Sequence, residues 1–183
     1  MERKSIVAGE PDHTGLGWLS RQLQRLFEKP DDRHSIGHDG ITLRFEQLHR
    51  ERPALRDRYD VLLGLVADFS ITIGDRLLYR EVDFPVVELA AGLLWWLDQH
   101  PEPGDDFEWE SMETEEPGWV WVRSGGDGWR IGSIHQEYPE PRIFSMTELQ
   151  WAITDFVSRL SAKALEEQGV DLAPYLRHGP SDE

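Results

Sequence analysis

The residues Val61-Leu-Leu-Gly-Leu-Val-Ala-Asp-Phe-Ser-Ile-Thr-Ile-Gly-Asp-Arg-Leu-Leu-Tyr-Arg-Glu-Val-Asp-Phe84 decide the fold. Two β-rich runs, one ending at Ile73 and the next starting at Arg76, are separated by Gly74-Asp75. Such a pair suits a two-residue hairpin turn, because these turns need positive φ and glycine adopts it without strain. The reading predicts antiparallel strands over Val61–Ile73 and Arg76–Asp83. If Gly74-Asp75 is the turn, Ile73 faces Arg76. Counting outward then sets Asp68 opposite Glu81, Val66 opposite Asp83 and Ser70 opposite Tyr79. All of these lie on the face away from Phe69, Ile71, Leu78 and Val82. Asp68, Glu81 and Asp83 thus form an expected carboxylate cluster, and like charges across a ladder need a compensating group. A neighbouring arginine such as Arg123 or Arg130, or simple solvation, answers that need most plainly, with a partner's Lys or Arg or a divalent cation as the alternatives.

Downstream, Pro85 fits a first helical position and Glu88 suits the positive end of the helix dipole. Val86, Leu89, Leu93, Trp96 and Leu97 make one apolar face of a helix over Pro85–Gln99, which His100-Pro101 ends. Phe107 and Trp109 alternate with Glu108 and Glu110, so Phe107–Met112 reads as a half-buried strand. Trp119–Arg123 and Trp129–His135 flank Ser124-Gly-Gly-Asp-Gly128 as a second hairpin with a looser loop. Ser145 and Glu148 form a capping box for a helix over Met146–Gln168. Leu149, Ile153, Phe156 and Leu160 face inward along it, and Gly169 is its C-cap.

Upstream, Ile41–Leu48 alternates as a strand, and Leu16, Leu19, Leu23 and Leu26 follow helical spacing. The expected architecture is α+β: an antiparallel sheet of about six strands, two main helices on one face and an extra N-terminal helix. Residues 1–13 read as a frayed start, 14–170 as a single domain, and 171–183 as a tail docked through Leu172 and Tyr175.

The 183 residues carry 35 acids against 19 Lys and Arg, a net charge of −16. Nucleic-acid binding needs clustered cations on phosphates, so this composition argues against it. There is no cysteine, which excludes disulfides and Cys-ligated metal centres. The apolar run Val61–Ala67 falls far short of the roughly 18 residues a membrane span requires, and no other run comes near that length. Met-Glu-Arg-Lys-Ser opens the chain without an apolar stretch behind it, so a cytoplasmic protein is expected. The acids are unevenly placed. From Glu81 to Val122 there are twelve of them and no Lys or Arg, whereas Arg21–Tyr59 holds nine bases against seven acids.

The run from Val66 through Ile73-Gly-Asp-Arg76 to Pro85-Val-Val-Glu-Leu-Ala90 resembles the central segment of small uncharacterised proteins from high-GC bacteria, a domain of unknown function. The sixteen Arg against three Lys agree with such a source. The resemblance brings no assigned activity and no functional residues. Small acidic bacterial proteins of this look include immunity proteins against toxins, an analogy only.

Catalytic motifs are absent. There is no G-x-S-x-G and no Ser-x-x-Lys, and the glycine-rich loop at 124–128 precedes a strand rather than a phosphate-binding helix. His34 and His38 are spaced as ligands only if helical, and Gly37 between them argues for a solvated loop. No catalytic residue, metal ligand or cofactor is therefore assigned. The candidate partner-binding residues are Trp95 with Glu88, Glu108 and Glu110, and Trp151, because tryptophan on a polar helix face is a frequent interface anchor. These observations favour a non-catalytic acidic module that binds a basic protein, such as an immunity-type inhibitor, with no nucleic acid and no membrane involved. The alternative is a small-molecule binder or enzyme with a Trp-lined pocket and carboxylates as acid and base.

Overall fold

The computed structural model describes residues 40–52, 54–112 and 116–176. The N-terminal helix expected at Leu16–Leu26, the frayed start, His34 with His38, and the end of the expected tail lie outside these residues. The chain forms β1 (Ile41–Arg50), α1 (Arg58–Gly64), β2 (Leu65–Ile73), β3 (Arg76–Phe84), α2 (Val86–Asp98), β4 (Phe107–Glu108), β5 (Trp121–Gly125), β6 (Gly128–Gly132) and α3 (Met146–Gln168). It is a mixed α+β arrangement. The strands divide into two antiparallel three-stranded sheets, β1-β2-β3 and β4-β5-β6, and not the single six-stranded sheet expected.

The hairpin turn is where the sequence puts it. Ile73 pairs with Arg76, and Gly74 takes a φ of 60°. Val61–Gly64, expected as the start of a strand, is instead the end of helix α1. Asp57 caps that helix by accepting from the Asp60 N–H at 2.9 Å. A short apolar run has no periodicity to separate strand from buried helix, and the cap makes the choice.

The outward count along β2 and β3 fails after the first pairs, because β3 carries two bulges. Thr72 pairs with Leu77 but Ile71 with Tyr79, leaving Leu78 extra; further on, Phe69 pairs with Glu81 but Ala67 with Phe84. Each extra residue reverses the faces beyond it. Leu78 and Tyr79 are consequently both buried, while Val82 and Asp83 are both exposed. Tyr79 enters the core against Phe69 and Phe84, and Val82, expected inside, faces solvent. Ser70 stands opposite Arg80 and Val66 opposite His49 of β1, in place of Tyr79 and Asp83.

Helices α2 and α3 cover one face of the first sheet. Phe156 of α3 meets Phe45 and Phe69 edge-on at 6.0 and 5.8 Å. Leu89, Leu93, Ile153 and Phe156 are all fully buried, as their periodicity predicts. Helix α3 starts on the Ser145–Glu148 capping box and ends on Gly169 at φ 66°. It also covers the open edge of β1: Arg159 donates to the Leu43 carbonyl at 2.7 Å and Gln168 to that of Leu48 at 2.9 Å. Covering an edge in this way removes a template for strand addition.

Helix α2 is apolar nearly all round, and every residue of it but Trp95 and Asp98 is buried. The second sheet closes it: Trp96 packs on Phe107 and Trp129, with ring centroids 6.1 and 5.3 Å away, and Trp109 lies on Phe84 at 4.6 Å. Both sheets share one hydrophobic core, which Leu172 and Tyr175 join from beyond α3. No helix among the described residues is long and apolar enough to cross a membrane.

Candidate functional site

Glu88, Gly92 and Trp95 fall at i, i+4 and i+7 of α2 and so share one helical face. That face forms one wall of a groove of about 380 Å³, and the segment from Asp106 to Met112 forms the other. Three different environments follow along the wall. At Glu88 the groove is floored, because the segment folds over it. At Gly92 the Phe107 ring comes close enough that a Cβ would lie 3.4 Å from it. At Trp95 the groove is open and the indole is 47% exposed.

Four of the five partner-binding candidates therefore meet in one place: Glu88, Trp95, Glu108 and Glu110 all line the groove. Their roles differ from the expected ones. Glu88 does not lie on an exposed face; it is 1% exposed. Its carboxylate accepts from the Ser111 hydroxyl at 2.8 Å and from the Met112 N–H at 3.0 Å. This grip also explains why the strand expected over Phe107–Met112 pairs at only Phe107 and Glu108. Past Trp109, the chain leaves the ladder to bring residues 111 and 112 to Glu88. Trp109 retains partial pairing, donating to the Val120 carbonyl at 2.8 Å and accepting from the Gly118 N–H at 2.9 Å.

Phe107 and Trp109 point inward while Glu108 and Glu110 point out, as alternation predicts. Arg123 on the neighbouring strand donates to Glu108 through Nη2 at 2.6 Å and Nε at 3.2 Å. The same guanidinium sits 4.7 Å from the Trp121 ring centroid. Asp106, which the sequence did not single out, accepts from the N–H and hydroxyl of Ser124 at 2.8 and 3.0 Å, fixing the entry to β4. Trp96 anchors the preceding turn by donating to the Asp105 carbonyl at 2.6 Å. Among the described residues, none makes a hydrogen bond or ion pair with the Glu110 carboxylate. Met112, 43% exposed, adds apolar surface beside Trp95.

Trp151 is 39% exposed on α3 and does not line the groove. Glu148 and Asp155, three and four residues away on the same helix, are engaged elsewhere: Glu148 in the capping box, and Asp155 with Arg159 at 2.8 Å.

The carboxylate cluster does not assemble as counted. Asp68 is not opposite Glu81; it faces Glu46 of β1 and accepts from Arg80 at 3.0 Å. The compensating arginine comes from the same hairpin rather than from Arg123 or Arg130. Asp83, at φ 52° in the second β3 bulge, pairs with His49 at 3.4 Å. His49 also bonds the carbonyl of Gln47, itself at φ 55° in the β1 bulge. Tyr79, expected beside these carboxylates, is buried; burial and, secondarily, the Glu81 charge hold its hydroxyl well above the usual phenol range. Among the described residues no group of three His, Asp or Glu is arranged to hold a metal ion.

Residues 41–167 match the profile of a family described as a domain of unknown function, DUF7878. The chain belongs to that family. No curated protein and no solved structure is detectably similar to it. The DUF7878 match covers both sheets and all three helices but for the last residue of α3, so the groove lies wholly inside the family's domain.

Proposed function

We propose that this DUF7878 protein is a non-catalytic binding module that engages a basic protein partner at the groove between α2 and β4. One observation carries the reading: a half-exposed tryptophan and four carboxylates line a single concave surface, in a 42-residue stretch of sequence without one Lys or Arg. A concave acidic surface concentrates field lines, attracts cations and speeds encounter with an oppositely charged partner. Trp95 is the apolar anchor, and Glu108 and Glu110 are its charged rim. The module acts in the cytoplasm, in the manner of an immunity-type inhibitor that occupies the basic surface of its target.

The other reading, an enzyme or small-molecule binder using carboxylates as acid and base, finds some support in the groove's size. Its chemistry is harder to assemble there. Glu88, the buried carboxylate, already accepts two hydrogen bonds from the segment it grips.

The test is retention of proteins from a lysate of the source cell on immobilised wild type and on a Trp95→Leu/Glu110→Lys variant. A basic protein retained by wild type, released by salt and lost on the variant is expected; purified, it should bind wild type alone. Identical retention by both proteins, insensitive to salt, would overturn the proposal.

A further inference from the structure

Deepening that reading, on which it rests, we infer that the groove is a socket for a single arginine side chain of the partner, its guanidinium lying on the Trp95 indole and donating to Glu110. Size comes first. A volume of about 380 Å³ is at the small end of ligand pockets, which run from roughly 300 to 1,000 Å³, and suits one side chain rather than a helix.

Charge comes second. Of the acids in the lining, Glu88 is held by Ser111 and Met112, Asp106 by Ser124, and Glu108 by Arg123. Among the described residues, only the Glu110 carboxylate in this lining is left unengaged. A cation entering beside Trp95 therefore finds an acceptor that no internal group occupies.

The third ground is that the protein already makes the same contact within itself. Arg123 lies over the Trp121 indole at 4.7 Å while bonding Glu108. Trp121 and Glu108 are cross-strand partners, so one indole and one carboxylate together hold one guanidinium. Trp95 and Glu110 offer the same two chemical groups in the groove, with no cation supplied by the described residues. Arginine is favoured over lysine because the flat, weakly hydrated guanidinium stacks on an indole and donates in a planar fork, while an ammonium is a strongly hydrated point charge.

The experiment titrates the full chain with N-acetyl-arginine amide, N-acetyl-lysine amide and the neutral citrulline analogue. The readout is the indole N–H resonance of Trp95 in a nitrogen–proton correlation spectrum, assigned by its loss in Trp95→Leu. The arginine amide should shift that resonance and saturate at millimolar concentrations, lysine should bind several-fold more weakly, and citrulline should not shift it. Glu110→Gln should weaken the arginine amide by about three- to thirtyfold, the range of one cation–π or charge-assisted contact. Thermal melts of the variants establish that they are folded. A citrulline shift equal to that of arginine, equal affinity for lysine, or no effect of Glu110→Gln would overturn the socket. If the basic partner is lost on Trp95→Leu while the arginine amide gives no shift, the socket fails and the partner surface stands. If the partner also binds Trp95→Leu/Glu110→Lys unchanged, both fail.

Discussion

On the outer face of β1–β3, Asp68 has Arg80 at 3.0 Å and Asp83 has His49 at 3.4 Å. Around β4 the balance differs: Glu108 has Arg123, whereas among the described residues Glu110 meets no cation and Asp106 is bonded by Ser124 alone. Exposed ion pairs contribute roughly 0–1 kcal/mol each, so neither arrangement decides stability. What differs is the field left over. Strands β1–β3 carry four Arg against four acids, so their charge cancels, while the chain around β4 presents its carboxylates around an open indole. The sheets also differ in how they are held. Strands β1–β3 run nine or ten residues, while β4–β6 run two to five and depend on close approaches.

The largest expected effect breaks the second sheet alone. Trp129 and Phe144 exchange backbone hydrogen bonds at 2.8 and 2.7 Å, and a Cβ on Gly128 would lie 2.5 Å from the Phe144 carbonyl oxygen. Backbone cannot step aside as a side chain can. Gly128→Ala should cost about 3 kcal/mol in urea unfolding. At Gly125, its partner across the hairpin, a Cβ would approach nothing nearer than 3.7 Å. Gly125→Ala should therefore stay within about 0.5 kcal/mol. Equal effects at the two positions would mean that the close approach is not what holds this sheet.

A smaller loss is expected at the groove floor. Glu88→Ala leaves the Ser111 hydroxyl and Met112 N–H without the carboxylate that joins them to α2, and should cost about 2 kcal/mol. Hydrogen exchange should rise in residues 109–112 and stay unchanged in β1–β3. Uniform protection loss across both sheets would show that the grip supports the whole core rather than the groove wall.

The smallest effect lies in the first sheet and depends on pH. The Tyr79 hydroxyl is buried without a hydrogen-bond partner among the described residues, so Tyr79→Phe should leave stability at neutral pH within about 1 kcal/mol of wild type, on the stabilising side. Its folded-state pKa is raised by burial first and Glu81 second. The folded protein therefore keeps a proton that the unfolded chain begins to lose near the phenol's ordinary pKa of 10. Wild-type stability should then fall as pH rises above about 10, and the Phe variant should lack that component of the fall. Identical alkaline profiles would show the hydroxyl to be less enclosed than its position implies.

Much of this was legible in local chemistry. Gly74-Asp75 names its turn, Ser145 with Glu148 caps α3, and the inward faces of α2 and α3 follow from their spacing. In each case a few neighbouring residues determine the outcome, by φ, by a cap, or by period. The charge imbalance near β4 was visible for the same reason, being a count along the chain.

Tertiary structure decided the rest, because it turned on contacts between residues far apart in sequence. Extra residues in β3 placed Tyr79 inside and Val82 outside, and no alternation pattern announces a bulge. The break into two sheets goes with α2, whose Trp96 is packed by Phe107 and Trp129 of the second sheet. Glu88 shows the division most sharply. Its sequence position promised an exposed acid at a helix start, but the Ser111 and Met112 donors 23 and 24 residues away made it the buried floor of the groove.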